Sequence, residues 1–109
     1  MRILFVASEG LPFSKTGGLA DVVEALPKAL VAQGHHVAVL LPRYRGSKSD
    51  GTVYPSVTIP MGGRLRFPSI GGGVLVNGVR YFFVEDPEYF DRDGIYGTSA
   101  GEFPDNAER

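Results

Sequence analysis

The sequence has 109 residues, a formal net charge of -1, 43% apolar and 21% charged residues, and no cysteine. That balance fits one small globular domain with a thin core. It excludes disorder, a disulfide framework, a thiolate metal site and the basic footprint that nucleic acid requires.

Residues 2–8 form a short continuous apolar run with β-branched Ile3 and Val6, the pattern of a strand buried on both faces of a parallel sheet. A loop follows, bracketed by Gly10, Pro12 and the Gly17-Gly18 pair. From Leu19 onward the periodicity is helical. Leu19, Val22, Val23, Leu26 and Leu30 recur at spacings of three and four and predict one buried face, with Leu19 and Val22 anchoring its first turns. Asp21 and Glu24 sit early, where negative charge suits the helix dipole, and Gly34 is the expected stop. Pro27 predicts a kink rather than a break, because the stripe continues through Leu30. "HVAVLL" is then a second buried strand ended by Pro42, which completes a βαβ unit.

The second half is β-rich, through "TVYPSVTIP", "GRLRFPSI" and "GGVLVNGVRYFFVE". Asn77-Gly78 is the strongest hairpin signal in the chain. Residues 86–97 predict a loop rich in aromatic and acidic side chains, and "GEFPDNAER" ends without a closing element, so the expectation is an incomplete domain. The longest apolar runs are too short to span a bilayer, and Met1 leads straight into a strand. The expectation is a cytoplasmic protein with neither a membrane nor a nucleic-acid partner.

The chemistry concentrates at "SKTGGLADV". A glycine-rich turn feeding a helix N-terminus offers unpaired N–H groups and the positive end of the dipole, and Lys15 adds a full charge at the rim. Such a loop suits a phosphate or pyrophosphate. It is not a P-loop, which needs glycine where Glu9 and Ser14 stand, and G-x-G-x-x-G is absent. Gly17-Gly18 could equally serve close strand-to-helix packing, with Lys15 a solvated charge. The location at the carboxyl end of the first strand favours the ligand.

"RILFVASEGLPFSKTG", "KTGGLADVVEALPKAL" and "GHHVAVLLPRYRG", with "YFFVEDPEYFDRDGIYG" and "DNAER" further on, closely resemble the amino terminus of bacterial glycogen synthases and plant starch synthases. Residues 46–73 carry little of the likeness. The resemblance implies an α/β fold, the N-terminal part of a Rossmann-like domain in a two-domain GT-B glycosyltransferase. It also implies transfer of glucose from ADP-glucose to an α-1,4-glucan such as glycogen, with retention of configuration. By that analogy Lys15 meets the phosphate-glucose end of the donor, Gly17 and Gly18 let the backbone approach it, and Asp21 lies in the donor pocket or orders the loop. Family members are several times longer, so residues 1–109 are expected to be one incomplete domain that lacks its second domain and is inactive alone. No catalytic side chain, metal site or cofactor is assigned within it.

Other residues carry weaker signals. Glu9 could face the cleft or order the loop through backbone N–H groups. His35 and His36 point to opposite faces and cannot readily share a metal. "DRDGIYG" lacks the ligand set of a calcium loop. Tyr89, Phe90 and Tyr96 could stack on sugar rings but more often such residues pack a loop down. Arg43 and Arg45 are expected to be solvated charges. A non-catalytic α/β module that binds a nucleotide or glucan, and a transferase using a UDP-sugar, stay open as alternatives. An unpaired sheet edge is expected to drive self-association.

Overall fold

The computed structural model describes all 109 residues. Strand β1 (Arg2–Val6), helix α1 (Gly18–Ala32) and strand β2 (His36–Pro42) form the predicted βαβ unit, with β1 parallel to β2 from Arg2 opposite His36 to Val6 opposite Leu40. Strand β3 (Thr52–Tyr54) and the small antiparallel ribbon of β4 (Ile59–Met61) and β5 (Arg64–Arg66) lead into a long hairpin, β6 (Ser69–Val76) and β7 (Val79–Glu85). β7 lies parallel to β2, so the five-stranded sheet has the order β1-β2-β7-β6-β3, parallel on one side and antiparallel on the other.

The hairpin turns at the predicted place. Asn77 and Gly78 both have positive φ, 52° and 79°, as a two-residue turn matching strand twist requires. Beyond β7, the segment expected to be all loop contains a single helical turn, α2 (Pro87–Phe90), started by the preset φ of Pro87. Strands β8 (Gly97–Thr98) and β9 (Gly101–Glu102) pair as a minimal ribbon before the final turns.

One face of the sheet holds the core. Val37, Val39 and Leu41 of β2 and Val79, Tyr81 and Phe83 of β7 alternate toward α1 and pack with Val23, with Ile3, Phe5 and Phe13 against them. The expectation of burial on both faces is corrected for β1, where Leu4 and Val6 are 61% and 72% exposed because no helix of this chain covers the opposite face, while the same face of β2 is half-buried.

The helix turns only part of the predicted side inward, with Val23 and Leu30 as expected. Ala20, Val23 and Pro27 are its buried residues, with Leu30 and Val31 packed at the margin. Leu19 and Val22, expected to anchor it, are 44% and 55% exposed. Two apolar stripes lie side by side on this helix, and the one with small side chains lets it approach the sheet closely. Helix α1 runs unbroken through Pro27, whose ring is buried and fills core volume.

Candidate functional site

The site grows from the carboxyl end of β1. The ladder continues one step past the strand through Ala7 N–H donating to Leu40 O at 3.1 Å. Ser8 O then accepts the Tyr44 hydroxyl at 2.7 Å, and Ser8 Oγ lies 2.7 Å from Tyr96 Oη. Gly10 and Ser14 close a tight bridge, Gly10 N–H to Ser14 O at 3.0 Å and Ser14 N–H to Gly10 O at 2.9 Å. This throws Phe13 inward, its ring centroid 5.0 Å from Tyr81 and 4.9 Å from Phe83. A Cβ on Gly10 would stand 2.8 Å from Val23 Cγ1 and 3.3 Å from Leu41. The glycine that permits close packing between loop and helix is therefore Gly10, and neither member of the later pair.

Gly17 and Gly18 are free of such constraint. Gly17 is the N-cap of α1 in extended backbone that any residue adopts, and a Cβ at either position would meet nothing within 4 Å. The helix start has no side-chain cap, so its first N–H groups face open space. Lys15 stands next to that opening, but it is not the unpaired cation the sequence suggests. Its Nζ donates to both carboxylate oxygens of Asp21, at 2.6 and 2.7 Å, across one turn of loop and helix. Both side chains are exposed, so the pair contributes at most about 1 kcal/mol. A doubly charged phosphate could compete with Asp21 for the lysine. Lys15, Gly17, Gly18 and Asp21 thus come together at one helix end.

Glu9, left ambiguous by the sequence, faces the loop from beneath. Only 3% exposed, its Oε2 accepts the Thr16 N–H at 2.5 Å and the Thr16 hydroxyl at 2.8 Å. Thr16 and Gly10 are the residues that sequence reasoning passed over. An acidic residue immediately after a strand and seven positions before a threonine is a weak signal without the loop geometry.

The wall beside the loop comes from the carboxyl ends of β2 and β7. A polar cavity of about 230 Å³ lies among Arg43, Tyr44, Arg45, Ser47, Glu85 and Asp86. The arginines, expected to be solvated charges, are paired instead. Arg43 pairs with Glu85 at 3.1 Å and donates to Ser47 O, while Arg45 binds Asp91 at 2.8 Å and Asp93 at 2.7 Å. The acidic residues of the calcium-like stretch are therefore partners of Arg45. Tyr44 is buried, and desolvation, aided by neighbouring Tyr96 and Glu9, pushes its phenol up to about 12, so it stays a hydrogen-bond donor to Ser8. Tyr89 and Phe90 pack against Tyr44 in a second cluster instead of facing solvent, whereas Tyr96 remains exposed at the site's margin. At the far end of the sheet, His35 Nδ1 meets the N-terminal amine at 3.1 Å and His36 takes part in the ladder, opposite Arg2.

This geometry has relatives. A glycogen synthase of Koribacter versatilis is 53% identical over 111 residues, which span all of this chain and 23% of that protein. Glycogen synthases of Syntrophotalea carbinolica and Geotalea uraniireducens, at 44% and 45% identity, are likewise covered over 23% of their length. The chain thus spans less than a quarter of the length of these curated relatives. Among solved structures, the catalytic domain of starch synthase IV from Arabidopsis thaliana, bound to ADP and acarbose, superposes with a TM-score of 0.73 at 32% identity. That match covers 89% of this chain and 21% of the other. The family described as the starch synthase catalytic domain matches residues 2–109, from strand β1 to the final turn, and the chain belongs to that family.

Proposed function

We propose that the full-length protein carrying this chain transfers glucose from ADP-glucose to the non-reducing end of an α-1,4-glucan, with retention of configuration. In this reading residues 1–109 begin the N-terminal Rossmann-like domain of a two-domain GT-B enzyme of the cytoplasm, and the second domain supplies the rest of the active site. The observation that carries the reading is the pair Gly17 and Gly18. Neither backbone geometry nor packing calls for glycine there, yet both open onto space beside Lys15 at an uncapped helix end. Absence of a side chain is useful there to a ligand that must touch the backbone. That the Arabidopsis neighbour was solved with ADP and acarbose supports a nucleoside diphosphate donor and a glucan acceptor.

The chemistry follows from charge. As the glycosidic bond to glucose breaks, the pyrophosphate of ADP gains negative charge, and a lysine with N–H donors aimed at it lowers the barrier. Lys15 leaves Asp21 to meet that charge, and Asp21 keeps the lysine extended over the helix end until the donor arrives.

In the full-length protein, Lys15→Gln is expected to lower transfer from ADP-glucose to glycogen by about 100- to 1,000-fold while leaving the thermal transition in place. Unchanged turnover would reject the donor role of Lys15. UDP-glucose, assayed beside ADP-glucose, separates this reading from a UDP-sugar transferase, and failure of both donors with the wild type would leave a binding module.

A further inference from the structure

We propose that Glu9 is a positioning residue for this anion site, acting through Thr16. The inference rests on the donor reading above and assigns a residue to it that touches no ligand. Thr16 is the link between the cation and the helix cap, with Lys15 before it and Gly17 after it. A single carboxylate oxygen of Glu9 holds this link at two points, the backbone N–H and the side-chain hydroxyl. The first contact fixes the peptide plane that joins Lys15 to Thr16, and the second fixes the threonine rotamer. Together they set where the lysine stem leaves the loop and where the backbone enters α1.

The setting of Glu9 argues that this grip has a purpose. A buried carboxylate is costly unless it is paired or well hydrogen-bonded. Glu9 takes part in none of the ion pairs of the structure, although Arg43, Arg45 and Lys15 all form one nearby. Its compensation comes from Thr16, whose N–H and hydroxyl both donate to the same oxygen. Packing of the loop does not depend on it. Phe13 against Tyr81 and Phe83 already fastens the segment to the core, and the Gly10 bridge to Ser14 closes the loop on itself. What Glu9 adds is control over the three residues that follow Ser14, and these are the residues of the site.

The test uses the full-length protein, with ADP as the binding probe and ADP-glucose and glycogen as substrates. Glu9→Ala is expected to weaken ADP binding, and to lower kcat/KM for ADP-glucose, by about 10- to 100-fold, the scale on which small misplacements of a binding group act. KM for glycogen stays unchanged. Thr16→Val, which removes only the hydroxyl contact, gives a smaller loss in the same direction, and Thr16→Ser restores the wild-type values. In a Lys15→Gln background Glu9→Ala adds clearly less to the loss of ADP affinity than it costs in the wild type, since one of the two groups being positioned is gone. Full additivity of the two changes, or equal loss toward donor and glycogen, overturns the positioning role. So does a folded Glu9→Ala or Thr16→Val variant that binds ADP as tightly as wild type. Should Glu9→Ala not fold, Thr16→Val and Thr16→Ser decide alone. If Lys15→Gln itself binds ADP normally, the donor reading fails first, and that outcome is distinct from a Lys15 effect without a Glu9 effect.

Discussion

The glycines on either side of Lys15 do opposite work. Gly10 has ordinary backbone but no room, with Val23 Cγ1 2.8 Å from where its Cβ would be, whereas Gly17 has ordinary backbone and unoccupied space around it. Gly10→Ala therefore overpacks the contact between loop and helix and is expected to cost about 1–3 kcal/mol. Gly17→Ala replaces one cap by a poorer one at about 1 kcal/mol, and it puts a methyl group where a ligand would meet the helix end. Thermal denaturation of the two variants beside ADP titration of each full-length protein checks the pair. Gly10→Ala should lower Tm the more, with ADP affinity kept in the folded fraction, whereas Gly17→Ala should lower ADP affinity. In the sequence Gly10 reads as loop punctuation and Gly17 as a place where either a ligand or a strand could approach, because a glycine's letter does not say whether its missing Cβ makes room for the protein or for something else. The location of the site was legible, since a cation before a glycine pair at the end of a first strand is a local pattern. Its internal wiring was legible only in part. Loop ordering by Glu9 through backbone N–H groups is one of two readings the sequence allows, but that its partner is Thr16, and that Lys15 is held by Asp21, depends on how the loop folds back across itself.

At the level of elements, the βαβ unit and the Asn-Gly hairpin were readable because each rests on local periodicity or turn chemistry. The inward face of α1 was readable only in part. Val23 and Leu30 of the predicted stripe pack in or against the core, but Leu19, Val22 and Leu26 are exposed while the smaller Ala20 and Pro27 are buried, so apolar size misled at the larger residues. What decides is how closely the helix approaches what lies beneath it, with small Ala20 on the helix and Gly10 on the loop against Val23 and Leu41. The consequence is measurable. Val23→Ala removes buried methyl groups packed with Leu41 and its neighbours and is expected to cost on the order of 2 kcal/mol, while Val22→Ser, one residue earlier and exposed, should stay within about 0.5 kcal/mol of wild type. Equal losses in chemical denaturation would mean that α1 buries the larger stripe after all. The second half follows a different logic. There the ribbon and the last turns are fastened by arginines, Arg66 to Asp86 and Glu88 and over the Tyr89 ring, Arg92 to Asp105, and Arg64 to Glu108. Such pairs join residues far apart in sequence and leave no periodic trace, which is why residues 86–97 read as loop and the last nine as lacking a closing element.

For the molecule as a whole, the decisive fact is that the sheet is finished on one face only. The core lies between α1 and the inward residues of β2 and β7, while Leu4, Val6 and Leu75 stand exposed on strands whose other sides are packed. β1 is also the end of the sheet, with β2 as its sole neighbour, so a row of backbone N–H and C=O groups lies open beside those apolar side chains. Proteins normally blunt such an edge with charge, proline or a bulge. Here Arg2 is the one charged residue of β1, and a net charge of -1 offers little repulsion between copies. We therefore expect the 109-residue chain, expressed by itself, to self-associate through β1. In sedimentation velocity its weight-average sedimentation coefficient should rise with concentration. Val6→Lys should suppress that rise, because it places a charge at the open edge on the uncovered face without disturbing Ile3 or Phe5 beneath. A wild-type chain that sediments as a monomer at every concentration would show that the bare edge is protected by strand twist alone. Association that survives Val6→Lys would move the contact to another exposed apolar surface, such as the Leu19, Val22 and Leu26 stripe of α1 or Val53 and Tyr54 on the opposite edge strand β3.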